Sequence, residues 1–166
     1  MKAKRIINDL IEIYGQDLKL YKKLFSLTEE QREIITEIDD FESDYFDQLE
    51  ELLVKKDGVM KEIEQVEQKL LPYKAGIIKG LNLSQDEWLK EFLDTDIVTD
   101  ELKEIINDLV ELIKRLQQLD QENQTLINSK KDKLVQEMNQ VKKGVKVNKS
   151  YNPQVRIHST YIDDKS

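Results

Sequence analysis

Residues 99–141 read TDELKEIINDLVELIKRLQQLDQENQTLINSKKDKLVQEMNQV, and this stretch decides the fold. Apolar side chains recur in it at alternating steps of three and four, the pattern of a coiled-coil-like helix. No glycine or proline interrupts the run before Gly144. Thr99 is placed to cap the helix N-terminus, where Asp100 and Glu101 are favourable for the helix dipole. The seam of the predicted helix consists of Leu102, Ile105, Leu109, Leu112, Leu116, Leu119, Asn123 and Leu126.

The two halves of this helix differ in their apolar content. Ile106, Ile113 and Ile127 lie beside the seam and widen it into a face that can contact two neighbouring helices. After Ile127 the apolar residues become sparse, and we expect them to change face. The N-terminal half is therefore predicted to belong to a bundle. The C-terminal half need not, and the apolar residues that it would leave exposed are Leu134, Met138 and Val141.

Two further long helices are predicted before the last one. The first covers roughly residues 3–38, and the second follows a break at residues 39–43 and ends at Leu71, because the residue before Pro72 avoids the helical region. Joined by so short a break, the two helices should run antiparallel. Polar residues at seam positions cost stability and help to fix the register of packing; they are Asp17, Thr28, Gln31 and Lys56.

Residues 72–98 follow a different pattern. Gly76 and Gly80 are expected to loosen the chain, and Ser84 to Glu87 form a capping box that predicts a short helix. That helix would carry an apolar group at helical spacing, which most often plugs the end of a bundle and alternatively lines a binding pocket; the group is Trp88, Leu89, Phe92 and Leu93. The predicted fold is therefore all-α: an elongated antiparallel helical bundle or coiled coil of three long helices plus a short helix, with an irregular C-terminal tail.

Charge divides the chain into two parts. The 166 residues carry a formal net charge of -8, but six basic and two acidic residues fall within residues 142–166, which leaves −12 for the rest. We assign residues 1–141 to a helical bundle domain and residues 142–166 to a tail that is flexible or ordered by a partner. A solubilising tail, or one that docks onto its own bundle or a neighbouring molecule, is an open alternative.

Composition argues against several functional classes. An acidic body is unsuited to nucleic acid, and no stretch approaches the roughly 20 apolar residues of a membrane span. Cysteine is absent, which excludes a disulfide framework and suits a reducing cytoplasm. His158 is the single histidine, and no metal-ligand spacing, phosphate loop or nucleophilic triad can be proposed from the sequence. We therefore expect a binding protein that is not an enzyme and that needs no cofactor or metal.

Three motifs follow one another along the chain. The first helix contains Leu18-Lys-Leu-Tyr21-Lys-Lys-Leu24, followed by Glu30-Gln31-Arg32. The last helix contains Arg115-Leu-Gln-Gln-Leu-Asp-Gln-Glu-Asn123-Gln-Thr-Leu126-Ile127, and the tail contains Ser150-Tyr151-Asn-Pro153 and then Ile162-Asp163-x-Lys165. In this order and spacing, the motifs resemble those of the FlgN family of flagellar export chaperones. The family's pattern in the last helix is Leu-x-x-Leu-Asn-x-x-Asn-x-x-Leu-Leu, and Asp120 stands here at its first asparagine.

The resemblance implies a cytoplasmic chaperone of the flagellar type III export system. Such a chaperone binds hook-associated proteins of the hook–filament junction, prevents their premature assembly and delivers them to components of the export apparatus. Family members bind cargo with their C-terminal part. Carried onto this sequence, the expected cargo-binding residues are Asn123, Leu126, Ile127, Leu134, Met138 and Val141 in the last helix, and Tyr151, Val155, Ile157 and Tyr161 in the tail.

Two other classes remain open from the sequence. A structural coiled-coil adaptor without an export role would share the helical body but would not need an apolar, basic tail. A membrane-surface protein would use Lys2, Lys4 and Arg5 with Ile6 and Ile7, although the acidic body argues against anionic lipid and no stable membrane insertion is expected. Exposed apolar positions near Leu134 and Met138 would allow a homodimer when the protein is free.

Overall fold

A computed structural model describes residues 2–39 and 44–144. Within these residues the chain forms helices and no strand, which confirms the all-α prediction. The break predicted at residues 39–43 agrees with the bounds of the first two helices, although residues 40–43 lie outside the described part. Residues 145–166 of the predicted tail also lie outside it. The helices are α1 (Lys2–Glu37), α2 (Tyr45–Gln68), α3 (Leu70–Leu81), α4 (Trp88–Leu93) and α5 (Asp100–Gly144).

The described residues cluster into two compact units. Unit 1 comprises residues 2–27 and 55–116, and unit 2 comprises residues 28–39, 44–54 and 117–144. Each unit takes residues from α1, α2 and α5, whereas α3 and α4 belong to unit 1.

Contacts within unit 1 show that α1 runs antiparallel to α2, as predicted, and also to α3. Leu24 packs in one cluster with Val59 and Ile63 of α2. Nearer the start of α1, the Tyr73 hydroxyl of α3 donates a hydrogen bond to the Asp9 carboxylate at 2.9 Å. Residues later in α2 and α3 therefore contact residues earlier in α1, so the helices run in opposite directions. A short connection between α1 and α2 favours this arrangement.

Within unit 2, α5 runs parallel to α1. The Asn123 side-chain amide donates to the Thr28 carbonyl oxygen at 3.0 Å. Seven residues further along α5, the Lys130 ammonium donates to the Thr36 carbonyl oxygen at 3.0 Å. Residue numbers thus rise together in the two helices.

The sequence interpretation of Pro72 is wrong. α2 ends at Gln68 and α3 begins at Leu70, so Pro72 is the third residue of α3 and not a helix stop. In the first turn of a helix the backbone N–H has no intrahelical partner, so proline is tolerated there.

The expectation that Gly76 and Gly80 loosen the chain is also wrong, because both are helical. The helix ends instead at Leu81 and is capped by Asn82, whose backbone is left-handed with φ 53°. The N–H of Leu83 then donates to the Ile78 carbonyl oxygen at 3.0 Å. An asparagine in this conformation is a recognised helix C-terminal signal, because the turn supplies donors for the last carbonyl groups.

Of the two predicted helix caps, one is present. Thr99 Oγ1 accepts a hydrogen bond from the Leu102 N–H at 3.3 Å and caps α5. Ser84 Oγ accepts from the Glu87 N–H at 3.2 Å, but this bond closes a turn before α4, which begins at Trp88 and has no side-chain cap at Glu87. The reciprocal carboxylate belongs to Glu91, which accepts from the Ser84 hydroxyl at 2.7 Å and from its backbone N–H at 3.3 Å.

The buried face of α5 is wider than the predicted seam. The side chains of Ile106 and Ile127, predicted to lie beside the seam, are buried, whereas Ile105 and Leu126 on the predicted seam are only partly buried. All four polar seam residues predicted for α1 and α2 are buried: Asp17, Thr28, Gln31 and Lys56. In unit 1, Phe92 is 1% exposed in the core and also lines a cavity, and Trp88 stacks on it with 6.3 Å between the ring centroids, so both the plug and the pocket lining remain open.

Candidate partner-binding site in helix α5

Six of the ten predicted cargo-binding residues belong to α5 and to unit 2. They are Asn123, Leu126, Ile127, Leu134, Met138 and Val141. The other four lie outside the described residues: Tyr151, Val155, Ile157 and Tyr161.

Asn123 is a buried polar link between α5 and α1. Its side chain is 3% exposed, and its Nδ2 donates to the Thr28 carbonyl oxygen at 3.0 Å. Its Oδ1 is buried and accepts no hydrogen bond from the described residues. A cavity of about 250 Å³ adjoins it, lined by Gln31, Asp120, Asn123, Gln124 and Ile127. A single buried amide of this kind favours one register of two helices, because a shifted register would leave the amide unpaired.

The expectation that Leu134 and Met138 are exposed is wrong. Leu134 is 4% exposed and belongs to the unit 2 core, and Met138 is 7% exposed. At about 100° per residue, steps of seven and eleven residues from Ile127 return to within about 20° of the same direction. The apolar residues therefore stay on one face of α5. In unit 2 this core consists of Ile35, Ile38, Leu49, Ile127 and Leu134.

Val141 is the described site residue that solvent reaches most readily, with 44% of its side chain exposed. Leu126 is partly buried against the unit 2 core. The six described residues thus form one continuous face that is buried up to Met138 and open at Val141. A partner could reach the end of this face without any change of structure, whereas the rest becomes available only where unit 2 opens.

Lys130 was missed by the sequence analysis. Its ammonium donates to the carbonyl oxygens of Thr36 at 3.0 Å and Ile38 at 2.9 Å. α1 has no basic residue in its own last turn, so a lysine of α5 satisfies the carbonyl groups that a helix C-terminus leaves unpaired. No local signal in the sequence could have found this contact, because the partners are more than 90 residues apart. Nearby, Arg32 of α1 also forms an ion pair with Glu122 of α5.

A buried carboxyl group lies in unit 1. Asp17 is 1% exposed, and neither of its side-chain oxygens has a hydrogen-bond partner among the described residues. Burial, and then the negative charge of Glu67 in α2, raise the pKa of Asp17 to about 7. Burial and the same two carboxyl groups raise the pKa of Tyr14 and of Tyr21 to about 12. A proton on Asp17 removes the charge repulsion between Asp17 and Glu67. It also allows Asp17 to donate a hydrogen bond to the Glu67 carboxylate.

The comparison with protein families decides the affiliation. The family described as FlgN protein matches residues 1–157. This chain belongs to the FlgN family, the family of flagellar export chaperones. Comparison with curated proteins and with solved structures gave no match.

The FlgN match extends beyond the described helices into the tail. It includes Tyr151, Val155 and Ile157, whereas Tyr161 lies past its end. None of the helices in residues 2–39 and 44–144 combines the length and the apolar composition that crossing a bilayer requires. The FlgN match covers the described helices together with the first part of the tail.

Proposed function

We propose that this FlgN-family protein acts in the cytoplasm as the export chaperone of hook-associated proteins, the components of the hook–filament junction. It binds them before export, prevents their premature assembly and delivers them to the type III export apparatus. The observation that carries the proposal is the family match, which spans both the helical units and residues 145–157 of the tail.

The open end of the α5 face supports the placement of the cargo site. Val141 is 44% exposed and follows directly on a face of buried apolar residues. The tail beyond it continues with apolar residues among basic ones, of which Tyr151, Val155, Ile157 and Tyr161 are our proposed contacts. A helix of the cargo that normally packs into a filament carries an apolar stripe, and such a stripe can dock along an apolar helix face.

The buried part of the face suggests how binding extends. We assign first contact to Val141 and the tail, and later contact to Met138, Leu134 and Leu126 as the end of unit 2 opens. Exposing one such side chain costs about 1.5–3 kcal/mol, and an apolar cargo stripe that covers it again restores that energy. Asn123 and Ile127 are the farthest of the six residues from Val141, and we propose that the cargo-binding face ends at them. Binding that includes such an opening cost, together with ordering of the tail, favours specificity over high affinity, which suits a cargo that must be released.

The test is co-purification with hook-associated proteins expressed in the same cells. The full chain is compared with a chain ending at Val141 and with the full-length variant Val141→Asp. Val54→Asp is the matched control, because Val54 is an exposed valine of unit 2 in α2 at 70% exposure. We expect truncation to abolish capture and Val141→Asp to weaken it about tenfold, while Val54→Asp binds as the parent does and circular dichroism shows intact helices throughout.

Two outcomes would count against the proposal. Capture that survives truncation would remove the tail from the site. A chain that captures no hook-associated protein, while still binding other helical proteins through its body, would instead fit the coiled-coil adaptor considered above.

A further inference from the structure

The connection between α2 and α3 is a weak point in the backbone of unit 1. α2 ends at Gln68 and α3 begins at Leu70. Between them, the Lys69 N–H donates to the Val66 carbonyl oxygen at 3.0 Å, three residues back instead of four. Pro72 has no N–H, so it cannot donate to the Gln68 carbonyl group four residues before it. The last turn of α2 is therefore held less firmly by backbone hydrogen bonds than a helix interior is.

Packing places this weak point opposite Asp17 of α1. Two contacts bracket this part of α1: the hydrogen bond between Tyr73 and Asp9 on one side, and the cluster of Leu24 with α2 on the other. Because the helices run antiparallel, the stretch of α1 between these contacts faces the end of α2. Asp17 thus lies opposite the last turn of α2, which contains Glu67.

The surroundings of Asp17 on α1 give its charge no compensation. Asp17 is 1% exposed, and neither of its side-chain oxygens has a hydrogen-bond partner among the described residues. Tyr14 and Tyr21 lie on the same face, three residues before it and four after it. Burial in the first place raises the pKa of both hydroxyl groups to about 12, so both are neutral at physiological pH.

The neighbouring helices face Asp17 with apolar residues or keep their charged groups in water. On the α5 side, Tyr14 shares a cluster with Leu109, and Leu24 shares one with Leu116. α3 contacts α1 about two turns earlier, at Asp9. The charged residues of this part of α5 and those along the outer edge of the α1–α2 contact are exposed: Glu111, Lys114 and Arg115, and Lys19, Glu62 and Lys69. Water screens these charges from the buried carboxyl group.

From the burial of Asp17, its position opposite Glu67 and the backbone break that follows Glu67, we propose that the two carboxyl groups form a pH-dependent switch in unit 1. With a proton on Asp17, its hydroxyl donates to the Glu67 carboxylate and holds the last turn of α2 against α1. When that proton leaves, two negative charges face each other at low dielectric, and the last turn of α2 separates from α1 at the break before α3. The switch stands whether or not α5 binds hook-associated proteins.

The direction of the pH dependence follows from the proton. Burial, and then the charge of Glu67, raise the pKa of Asp17 to about 7. The closed arrangement is therefore complete in mildly acidic solution and is lost as the pH rises through about 7. Close to neutral pH both arrangements are populated, so a small change of pH shifts the balance between them.

The test is an NMR titration of the full chain, labelled with ¹³C and ¹⁵N, over roughly pH 5.5 to 8.5, the range around the pKa of Asp17. The carboxyl carbon of Asp17 reports the proton, and the backbone amides of residues 65–71 report the position of the end of α2. We expect the two sets of signals to shift with one common midpoint near pH 7. The amides of residues 102–116 in α5 should shift much less.

Three variants locate the effect. Asp17→Asn should remove the midpoint and keep residues 65–71 in the closed arrangement at high pH, because the amide donates to Glu67 without ionising. Glu67→Gln removes the repulsion, so the midpoint of Asp17 should move down by on the order of one pH unit. Glu62→Gln is the matched control, because Glu62 is an exposed carboxyl of the same helix, and it should titrate as the parent does.

Three results would overturn the proposal. The first is a titration of Asp17 that leaves the amides of residues 65–71 in place, since the buried charge would then be tolerated without movement. The second is an equal change throughout α1, α2 and α5, which would mean that unit 1 opens as a whole. The third is a midpoint for residues 65–71 that survives in Asp17→Asn, which would assign the titration to another group.

Discussion

Units 1 and 2 use the same three long helices but differ in the size of their buried apolar clusters. Among the described residues, the main unit 1 cluster contains nine buried side chains, including Phe92, Leu102 and Ile106, and a second cluster surrounds Leu24. The unit 2 cluster contains five buried side chains, and two of them, Ile127 and Leu134, come from α5. We expect from this difference that the helices of unit 2 separate at lower cost than those of unit 1.

The polar residues of the two cores differ in a second way. In unit 2 the buried amide of Asn123 has a hydrogen-bonded partner in α1, and Lys130 satisfies the end of that helix. In unit 1 neither oxygen of the buried Asp17 carboxyl has a hydrogen-bond partner among the described residues. Unit 1 therefore contains a carboxyl group that destabilises it when the group is charged, whereas in unit 2 polar side chains link α5 to α1. Each prediction below tests one side of this contrast.

The largest effect is expected for Phe92→Ala in unit 1. Removing a buried phenylalanine costs about 3–5 kcal/mol through lost apolar burial and the cavity that remains. The free energy of unfolding, measured by urea titration followed by circular dichroism, should fall by that amount. Leu71→Ala is the control, since Leu71 is 60% exposed and its loss should cost little. A loss below about 1 kcal/mol for Phe92→Ala would mean that α4 is not part of the core.

Asp17→Asn should make the protein more stable, and the gain should depend on pH. Because the pKa of Asp17 is raised from 3.8 to about 7, the folded state holds the proton more tightly than the unfolded state. The stability that this proton contributes is complete below about pH 4 and is lost as the pH rises through about 7. At pH 8 the substitution should therefore raise the free energy of unfolding by on the order of 2 kcal/mol, and at pH 4 by much less.

The control for this pH dependence is Glu62→Gln, an exposed carboxyl of the same helix as Glu67. It should leave the pH profile of the melting temperature close to that of the parent. If Asp17→Asn and the parent lose stability equally between pH 4 and pH 8, the buried carboxyl does not titrate in this range.

The parts of the fold that the sequence predicted are those set by local spacing. Leu102, Leu109 and Leu116 are buried because steps of seven return to one helix face, and Thr99 caps α5 because its hydroxyl lies three residues before a free N–H. The antiparallel pairing of α1 and α2 follows from the short connection between them. The sequence also predicted the polar residues Asp17, Thr28 and Gln31 on the packed face of α1, and all three are buried.

The parts that the sequence did not predict depend on where other helices end. Leu134 is a sparse apolar residue on a charged helix, and its burial requires knowing that Ile35, Ile38 and Leu49 pack with it. The position of Pro72 depends on a helix boundary at Lys69 that no local signal marks. Lys130 contacts residues more than 90 positions away. Such tertiary contacts are chosen by packing, and propensity carries no information about them.

Lys130→Met should destabilise unit 2 moderately. The substitution keeps most of the apolar stem but leaves the carbonyl groups of Thr36 and Ile38 without the ammonium donor. The contact is partly exposed to water, so the expected loss is about 1 kcal/mol. Amide hydrogen exchange should show lower protection in the last turn of α1. Lys133→Met, at an exposed position of the same helix, is the matched substitution and should change neither quantity.

The smallest effect is expected for Gly58→Ala in α2, which adds stability to unit 1. A Cβ atom there meets nothing within 4 Å, so alanine fits without strain. Alanine restricts the unfolded chain more than glycine does, and this stabilises a helix interior by about 0.5–1 kcal/mol. Hydrogen exchange should register the gain in the amides of residues 55–68. If unit 2 is the part that opens at lower cost, exchange in residues 117–141 will keep its parental rate while unit 1 slows. An equal slowing of both units would show instead that the two share one opening transition, and the contrast between their cores would then have no consequence for cargo binding.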